Sequence, residues 1–277
     1  MEIDAKPFET RKPPHFDSKD AERNYLLARL AATCRIFGAR GYSEGLLGHI
    51  TLRDPEFADR LWVNSIGIPM RHMRVSNLVQ VNHRGEILYG AGPVNPAALL
   101  LHTALHRMRA DVTAICHAHA AAGSTWASLG RVLDPITQDA CVFYERQALI
   151  LEPKVVKDTA GADRFAAAFG DKRVAIHACH GIFTTGQSVD EAAWWFILMN
   201  QCCEAQLRAE AVGRPASFAP EEARWLASTL GTPLFGWLSF QSLWDELAIS
   251  NPDLVSGDII GQPRGVAAAS LPGGVRC

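Results

Sequence analysis

Three histidines have the type and spacing that a metal ion requires. His117 and His119 are two residues apart at the end of an apolar run, and residues two apart on a β-strand point to the same face. His180 follows a second apolar run and precedes Gly181, which lets backbone or ligand approach closely. Three imidazole ligands leave open positions for water, substrate or dioxygen. The pattern predicts a catalytic divalent-metal site at His117, His119 and His180.

Other interpretations of these residues stay open at this point. An HxH pair also occurs as two surface or hydrogen-bonded core histidines that hold no ion. Cys179 precedes the third histidine, where a thiolate would be a further ligand and a thiol would be a small buried apolar group. Glu44 and Glu145 are candidate carboxylates for the site, with solvated or helix-capping roles as the alternative.

The elements that must position these residues follow from hydrophobic periodicity. Short apolar or alternating runs predict strands at 48–54, 60–66, 77–82, 85–90, 112–117 and 174–180. Longer runs predict helices from Asp17 or Ser18 to about 41, and at 96–110, 120–129, 158–170, 188–211, 219–230 and 238–249. Segment 130–157 is predicted to be looser. Strands mixed with helices, without strict alternation, indicate an α/β fold with a mixed sheet and helices on both faces.

The helix at 188–211 carries the clearest terminal signal. Ser188 and Glu191 have the spacing of a capping box. Its middle, residues 193–199, is apolar all round, which predicts burial inside the fold or in a subunit interface. With no linker in the sequence, we expect an extended arm at 1–16, a single domain at 17–255 and a loose tail at 256–277.

Composition excludes several classes of protein. The 277 residues have a formal charge of -2 and no run of Lys or Arg longer than two, so a nucleic-acid partner is not expected. The seven cysteines include no CxxC motif, which argues against a zinc ribbon or a redox dithiol. The N-terminus is polar and no apolar run reaches 18 residues, so we expect no signal peptide and no membrane span. A cytoplasmic location is therefore expected.

Five blocks of sequence resemble the class II aldolase/adducin family, in the family's order, within residues 20–212. They are GHITLRDP (48–55), LWVNSIGIPM (61–70), LVQVNHRGEILYG (78–90), LHTALHRMRADVTAICHAHA (101–120) and HGIFTTGQSVDEA (180–192). The resemblance implies a three-layer α/β/α fold with a central mixed β-sheet. It places the family's metal-binding histidines on His117, His119 and His180, and it implies a homotetramer with sites near subunit interfaces.

The chain departs from the sugar-phosphate aldolases of this family at the start of one helix. By position, the family's acid/base glutamate falls on Ala98, and its two phosphate-binding serines fall on Pro96 and Ala97. Alanine cannot transfer a proton, and neither Pro96 nor Ala97 offers a hydroxyl. The usual retro-aldol cleavage of a phosphorylated sugar is therefore not expected.

Within the family, the chain is similar to the iron-dependent oxygenases of aminocoumarin antibiotic pathways. That similarity implies Fe(II), dioxygen and the oxidative decarboxylation of an aromatic 2-oxo acid, of the type that converts prenylated 4-hydroxyphenylpyruvate to prenylated 4-hydroxybenzoate. Two alternatives remain. One is a zinc- or manganese-dependent aldolase-type lyase acting on a non-phosphorylated substrate, and the other is a non-catalytic, adducin-like interaction module.

Binding of a small-molecule oxo acid predicts further site residues. Arg71 and Arg74 are candidates to bind its carboxylate, because arginine forms two parallel hydrogen bonds with that group. Asn64, Ser65 and Gly67 fall where the family's substrate-anchoring loop lies. A group of large apolar residues could line the pocket for the rest of the substrate, with ordinary core packing as the alternative: Trp62, Met70, Met73, Trp126, Phe143 and Tyr144.

Overall fold

The computed structural model describes residues 11–152 and 155–256. Within these residues one eight-stranded sheet forms the centre of the fold. Its strands are β1 (His49–Arg53), β2 (Arg60–Asn64), β3 (Leu78–Asn82), β4 (Ile87–Tyr89), β5 (Ala114–Ala118), β6 (Gln147–Ile150), β7 (Val174–His177) and β8 (Gly181–Gly186). Their order across the sheet is β4-β3-β2-β1-β5-β8-β7-β6. Neighbours are antiparallel except β6 and β7, which are parallel, so the sheet is mixed.

Helices cover both faces of this sheet. They are α1 (Lys19–Ala39), α2 (Pro96–Met108), α3 (Ala121–Ser128), α4 (Gln138–Cys141), α5 (Thr159–Phe169), α6 (Val189–Val212), α7 (Pro220–Leu230), α8 (Pro233–Ser250) and α9 (Asp253–Ser256). The side chains of α1, α3, α6 and α8 share one apolar core with Cys116 and Ala118 of β5. Those of α2 and α5 share a second core with Ile115 on the opposite face. The three-layer α/β/α arrangement confirms the predicted fold class.

Strand alternation decides which layer the candidate metal ligands meet. In β5, Ile115 and His117 face the α2 and α5 layer, because Cys116 and Ala118 face the other core. His117 pairs in register with His49 of β1 and with Phe183 of β8. The site is therefore built on the α2 side of the sheet, where the ends of the three adjacent strands β1, β5 and β8 meet.

The predicted caps of two helices are present in the structure. Ser18 caps α1 by accepting a hydrogen bond from the backbone N–H of Ala21. At α6, Ser188 Oγ accepts from the Glu191 N–H at 3.1 Å. The Glu191 carboxylate accepts from the N–H of Gln187 rather than that of Ser188, so the capping box closes one residue earlier than predicted. Most of the apolar middle of α6 is buried within this one chain.

Several element boundaries were predicted wrongly. The sequence did not predict β8, because its six residues begin directly after the turn at 178–180 and end just before the cap of α6. β6, predicted to be loose, is a four-residue edge strand that relies on pairing with β7. α8 begins at Pro233 rather than at 238, since Thr232 caps it and Pro233 suits a first turn. Gly236 lets α8 approach α6, where a Cβ would lie 2.7 Å from Trp195 Cζ2.

The predicted terminal segments are only partly covered. Residues 11–16 run without helix or strand, and Arg11 forms an ion pair with Asp245 of α8 at 2.8 Å. The rest of the predicted arm and, apart from Ser256, the predicted tail at 256–277 lie outside the described residues. Among the helices described, none has the length and apolar character needed to cross a membrane.

Candidate metal centre

His117 is held rigidly in the middle of the sheet. It is completely buried, and its ring stacks on Phe183 with centroids 3.9 Å apart and planes 9° apart. Its Nδ1 lies 2.9 Å from the carbonyl oxygen of Ile182, which can only accept, so Nδ1 carries the proton and donates. The lone pair is therefore on Nε2. A metal ligand is oriented in this way when its second nitrogen is hydrogen-bonded to the backbone.

His180 reaches the site from the tight turn that joins β7 to β8. The turn closes with a hydrogen bond from the His180 N–H to the carbonyl oxygen of His177. Cys179 takes a left-handed conformation with φ of 60°, which a three-residue hairpin loop requires at one position. The His177 ring stacks on the His180 ring at 5.1 Å and fixes its plane. Predicted at the end of a strand, His180 thus lies just beyond it.

The three predicted ligands converge. One nitrogen each of His117, His119 and His180 lies within 4.8 Å of the others. The Nε2 atoms of His117 and His180 are 3.0 Å apart, near the roughly 3.3 Å that separates two ligands bound about 2.0–2.1 Å from a tetrahedral zinc ion. Among the described residues this is the one such group, and it contains no carboxylate. The donor set fits a divalent ion with open positions.

Burial keeps the three imidazoles in the form that binds metal. It lowers the pKa of His117 well below its usual value, and nearby histidines lower it further. The pKa of His119 is lowered by burial alone. Burial, followed by repulsion from His177 and His119, lowers the pKa of His180 to about 4. All three rings are therefore neutral near pH 7, each with a lone pair available.

Some predicted substrate-binding residues lie beside this edge of the sheet. Asn64 ends β2, and its Oδ1 accepts from the N–H of Ile50, next to His49. Ser65 follows, buried, with its Oγ unpartnered among the described residues. Gly67 and Arg71 line a cavity of about 370 Å³.

That cavity adjoins the strand that bears two of the ligands. Its other lining residues include Ser43, Glu44 and Leu46 of the loop before β1. A Cβ on Gly48 would lie 3.0 Å from Ser43 Oγ and 3.3 Å from the Cβ of Ala118, the residue between His117 and His119. The loop at 43–48 therefore packs on the end of β5 from the face opposite the His117 side chain, because Ala118 points into the first apolar core. The cavity lies beside that end of the strand and is a candidate substrate pocket.

Other predicted contacts lie elsewhere. Arg74 is exposed and does not line the cavity. Tyr144 packs against α7, with the Arg224 guanidinium 5.8 Å from its ring centroid, and α7 carries none of the three histidines. Glu145 pairs with the same arginine at 2.9 Å. Tyr144 and Glu145 thus contact α7, which carries none of the predicted ligands.

The large aromatic residues proposed for the pocket are core residues. Trp62, Trp126 and Phe143 are fully buried in the first apolar core. Trp62 Nε1 donates to Asp54 and Trp126 Nε1 donates to the Arg131 carbonyl, so both indoles are satisfied within the protein. Of the predicted apolar set, Met70 is the member that also lines the cavity.

Sequence reasoning missed two histidines that extend the site. His49 opens β1 with its ring 4.9 Å from that of His117, and His102 of α2 lies 4.7 Å from His49. The signal was present in the sequence. His49 and Thr51 alternate with apolar residues along β1, and His102 and His106 have the i, i+4 spacing of one helix face.

Ala98, where the family has its acid/base glutamate, is on the same helix as His102. Ala98 is buried in the first turn of α2, which Asn95 caps through hydrogen bonds from the N–H groups of Ala97 and Ala98. Residue 98 lies one helical turn before His102 and therefore on the same face. Pro96 occupies the first turn, as predicted.

Comparisons with known proteins find relatives in both sequence and fold. The sequence pattern of the family described as the class II aldolase and adducin N-terminal domain matches residues 28–207. Decarboxylase NovR of Streptomyces niveus is 36% identical over 255 residues, covering 89% of this chain and 92% of that protein. The 4-hydroxy-3-prenylphenylpyruvate oxygenase/4-hydroxy-3-prenylbenzoate synthase of Streptomyces roseochromogenus subsp. oscitans is also 36% identical, with 89% and 90% covered. The solved structure of L-fuculose 1-phosphate aldolase from Glaciozyma antarctica PI12 matches with a TM-score of 0.82 at 34% identity, covering 87% of this chain and 96% of that one.

Proposed function

The chain belongs to the class II aldolase and adducin family, and from this premise we propose that it is a non-heme iron enzyme that uses dioxygen to decarboxylate an aromatic 2-oxo acid. That it is a metal-dependent enzyme follows from the family and from relatives named as a decarboxylase and an oxygenase. The proposed reaction is of the type that converts prenylated 4-hydroxyphenylpyruvate to prenylated 4-hydroxybenzoate.

One observation favours oxidation over aldol cleavage: the buried Ala98. An aldolase must move a proton on and off carbon, and a carboxyl group near the metal would do so. Here the corresponding position holds a methyl group on the His102 face of α2, and the three-histidine group contains no carboxylate. Oxidative decarboxylation by dioxygen does not require a carboxyl group at position 98.

The residues of the chain have defined tasks in this proposal. His117, His119 and His180 would hold the ion, which when bound would act as a Lewis acid toward the oxo acid and, as iron, would supply redox chemistry. Arg71, at the wall of the cavity, would bind the carboxylate of the substrate. Leu46 and Met70 give the same cavity apolar surface for an aromatic or prenyl group.

Oxygen uptake tests the proposal. Converting 4-hydroxyphenylpyruvate to 4-hydroxybenzoate removes two carbons as carbon dioxide, and balancing the atoms requires two dioxygen molecules and yields one water. We expect Fe(II)-loaded protein, prepared under nitrogen, to consume oxygen and release carbon dioxide in this equal ratio. The substrates would be 4-hydroxyphenylpyruvate and its 3-prenyl analogue, with uptake followed at an oxygen electrode and products by mass spectrometry.

Zinc-loaded protein and the His119→Ala variant are the controls, and both should show no uptake. Turnover without oxygen consumption, with zinc or manganese loaded, would contradict the oxygenase proposal and favour the aldolase-type lyase. The 34% identical structure of an L-fuculose 1-phosphate aldolase makes this the second candidate. Absence of any turnover with every metal would favour an adducin-like binding role.

Restoring the family's acid provides an independent prediction. Ala98→Glu places a carboxyl group in a buried first turn, on the face that carries His102. We expect iron-dependent oxygen uptake to fall at least about tenfold, because a new anion would compete for the ion or for the space around it. Ala98→Gln is the matched control for size. Equal loss in both variants would mean that crowding, and not the charge, is responsible.

A further inference from the structure

Several buried ring nitrogens beside the metal centre have no hydrogen-bond partner. Within the described residues, neither Nδ1 nor Nε2 of His49 has one, and the same is true of His102 Nε2. His49 lies directly opposite His117 in the sheet, and only 7% of its surface is exposed. Buried polar atoms without partners destabilise a fold unless a bound molecule supplies the missing hydrogen bonds.

The hydroxyl group of Thr51 links His102 to His106. Thr51 Oγ1 lies 2.7 Å from His102 Nδ1 and 3.0 Å from His106 Nε2. Thr51 has one hydroxyl proton, so it donates to one of these nitrogens and accepts from the other. In either arrangement Nδ1 of His102 is engaged, and Nε2 is the nitrogen left for a ligand.

The consequence is an unused ring nitrogen of His102 next to His49. The rings of His49 and His102 have centroids 4.7 Å apart, and no hydrogen bond joins them. His102 thus offers one ring nitrogen to a ligand, and His49 offers two. Both lie on the α2 side of the sheet, as His117 does.

We infer that His49 and His102 form a polar pocket that positions an oxygen atom of the oxo acid beside the metal centre. The identity of the ligand rests on the proposed function. His49 forms the side of the pocket next to His117, while the hydrogen bond between Thr51 and His102 Nδ1 leaves His102 Nε2 available to a ligand. The pocket therefore fixes the orientation of a bound acid without holding the ion.

Binding of ligands to the cobalt-loaded protein tests this inference without turnover. Under nitrogen, the visible spectrum of Co(II) would be followed during titration with 4-hydroxyphenylpyruvate and, separately, with oxalate. We expect His49→Phe to bind cobalt with wild-type stoichiometry and to bind both ligands about tenfold or more weakly, as loss of a buried hydrogen bond predicts. His49→Gln should recover part of the affinity, because its amide also donates and accepts.

Two further variants make the test specific. Thr51→Val leaves both imidazoles in place and removes only the hydroxyl that orders His102, so it should weaken binding by a smaller factor. It decides the same question if His49→Phe fails to fold. His83→Phe is the matched control, since His83 also has a buried, unpartnered Nε2 but follows β3 at the opposite edge of the sheet. It should bind both ligands as the wild type does.

Three results would overturn the inference. The first is wild-type affinity for both ligands in His49→Phe, and the second is loss of cobalt from that variant, which would make His49 a support of the ion. The third is a wild-type spectrum that responds to neither ligand. A spectrum that responds to oxalate but not to the oxo acid contradicts the proposed function instead, and the oxalate titration of the variants then decides the role of His49.

Discussion

Replacing His117 by alanine is expected to abolish metal binding and, with it, activity. Its Nε2 is a well-oriented ligand atom, since Ile182 fixes the tautomer of the ring and Phe183 fixes its plane. Metal-site binding free energies of about 10–16 kcal/mol, shared among three or four ligands, give about 3–5 kcal/mol for each. Loss of one ligand therefore weakens binding by roughly two to three orders of magnitude. His180→Ala is expected to have a similar effect.

Metal content after dialysis, measured by mass spectrometry, and iron-dependent oxygen uptake would check this prediction. Circular dichroism of the metal-free proteins would show whether the fold persists. His117→Gln keeps more of the side-chain volume and guards against collapse of the core around a fully buried site. His15→Ala, at an exposed histidine before α1, is the control. Full metal content and activity in both His117 variants would show that the site has been assigned wrongly.

The sequence predicted the metal ligands well because their signal is local. His117 and His119 share one element, and a two-residue spacing on a strand brings their rings to one side. His180 was predicted from its place after an apolar run and then matched the family's third histidine, but periodicity alone does not show how it approaches the other two. It belongs to a three-residue turn whose path depends on the pairing of β7 with β8, and β8 itself was not recognised.

The pocket was harder to predict because it is built from distant segments. Arg71 and Gly67 meet the loop at 43–46 only through the packing of that loop on β5. His49 meets His117 through strand register, which a single sequence does not fix. Tyr144 shows the opposite error, since an aromatic residue between two apolar runs was interpreted as pocket lining and in fact packs on α7.

Substituting Asp54 by asparagine is expected to destabilise the metal-free protein by about 3–5 kcal/mol, a large part of a typical 5–15 kcal/mol. Asp54 is buried at the end of β1, the strand that begins with His49. Its Oδ2 accepts from Arg23 Nε, Trp62 Nε1 and Gln80 Nε2, and its Oδ1 accepts from Arg23 Nη2 and two backbone N–H groups. An asparagine amide must replace one of these oxygens by a donor, so three donors lose their acceptor in either orientation.

Urea unfolding in the presence of a chelator would measure this loss, because bound metal would otherwise add its own stabilisation. Asp20→Asn is a closely matched control. Asp20 pairs with the same Arg23 guanidinium at 2.5 Å, but 47% of its side chain is exposed. An exposed ion pair contributes about 0–1 kcal/mol, so this variant should unfold close to the wild type. Equal destabilisation by both substitutions would show that the charge of Arg23, and not the set of acceptors on Asp54, governs the effect.

The pH dependence distinguishes this network from packing. Burial by itself would raise the pKa of Asp54, but the hydrogen bonds from Arg23, Trp62 and the backbone outweigh it and leave the pKa below its usual value. A carboxyl group whose pKa is lower in the folded state stabilises the fold above its unfolded pKa of about 3.9 and loses that contribution as pH falls. The difference between wild type and Asp54→Asn should therefore be constant from pH 7 to about 5 and shrink below about pH 4. Asparagine and protonated aspartic acid present nearly the same outline to Arg23, Trp62 and Gln80, so shape alone predicts no difference once Asp54 is protonated. A difference that persists unchanged well below pH 4 would therefore contradict the assignment of the effect to the charge of Asp54.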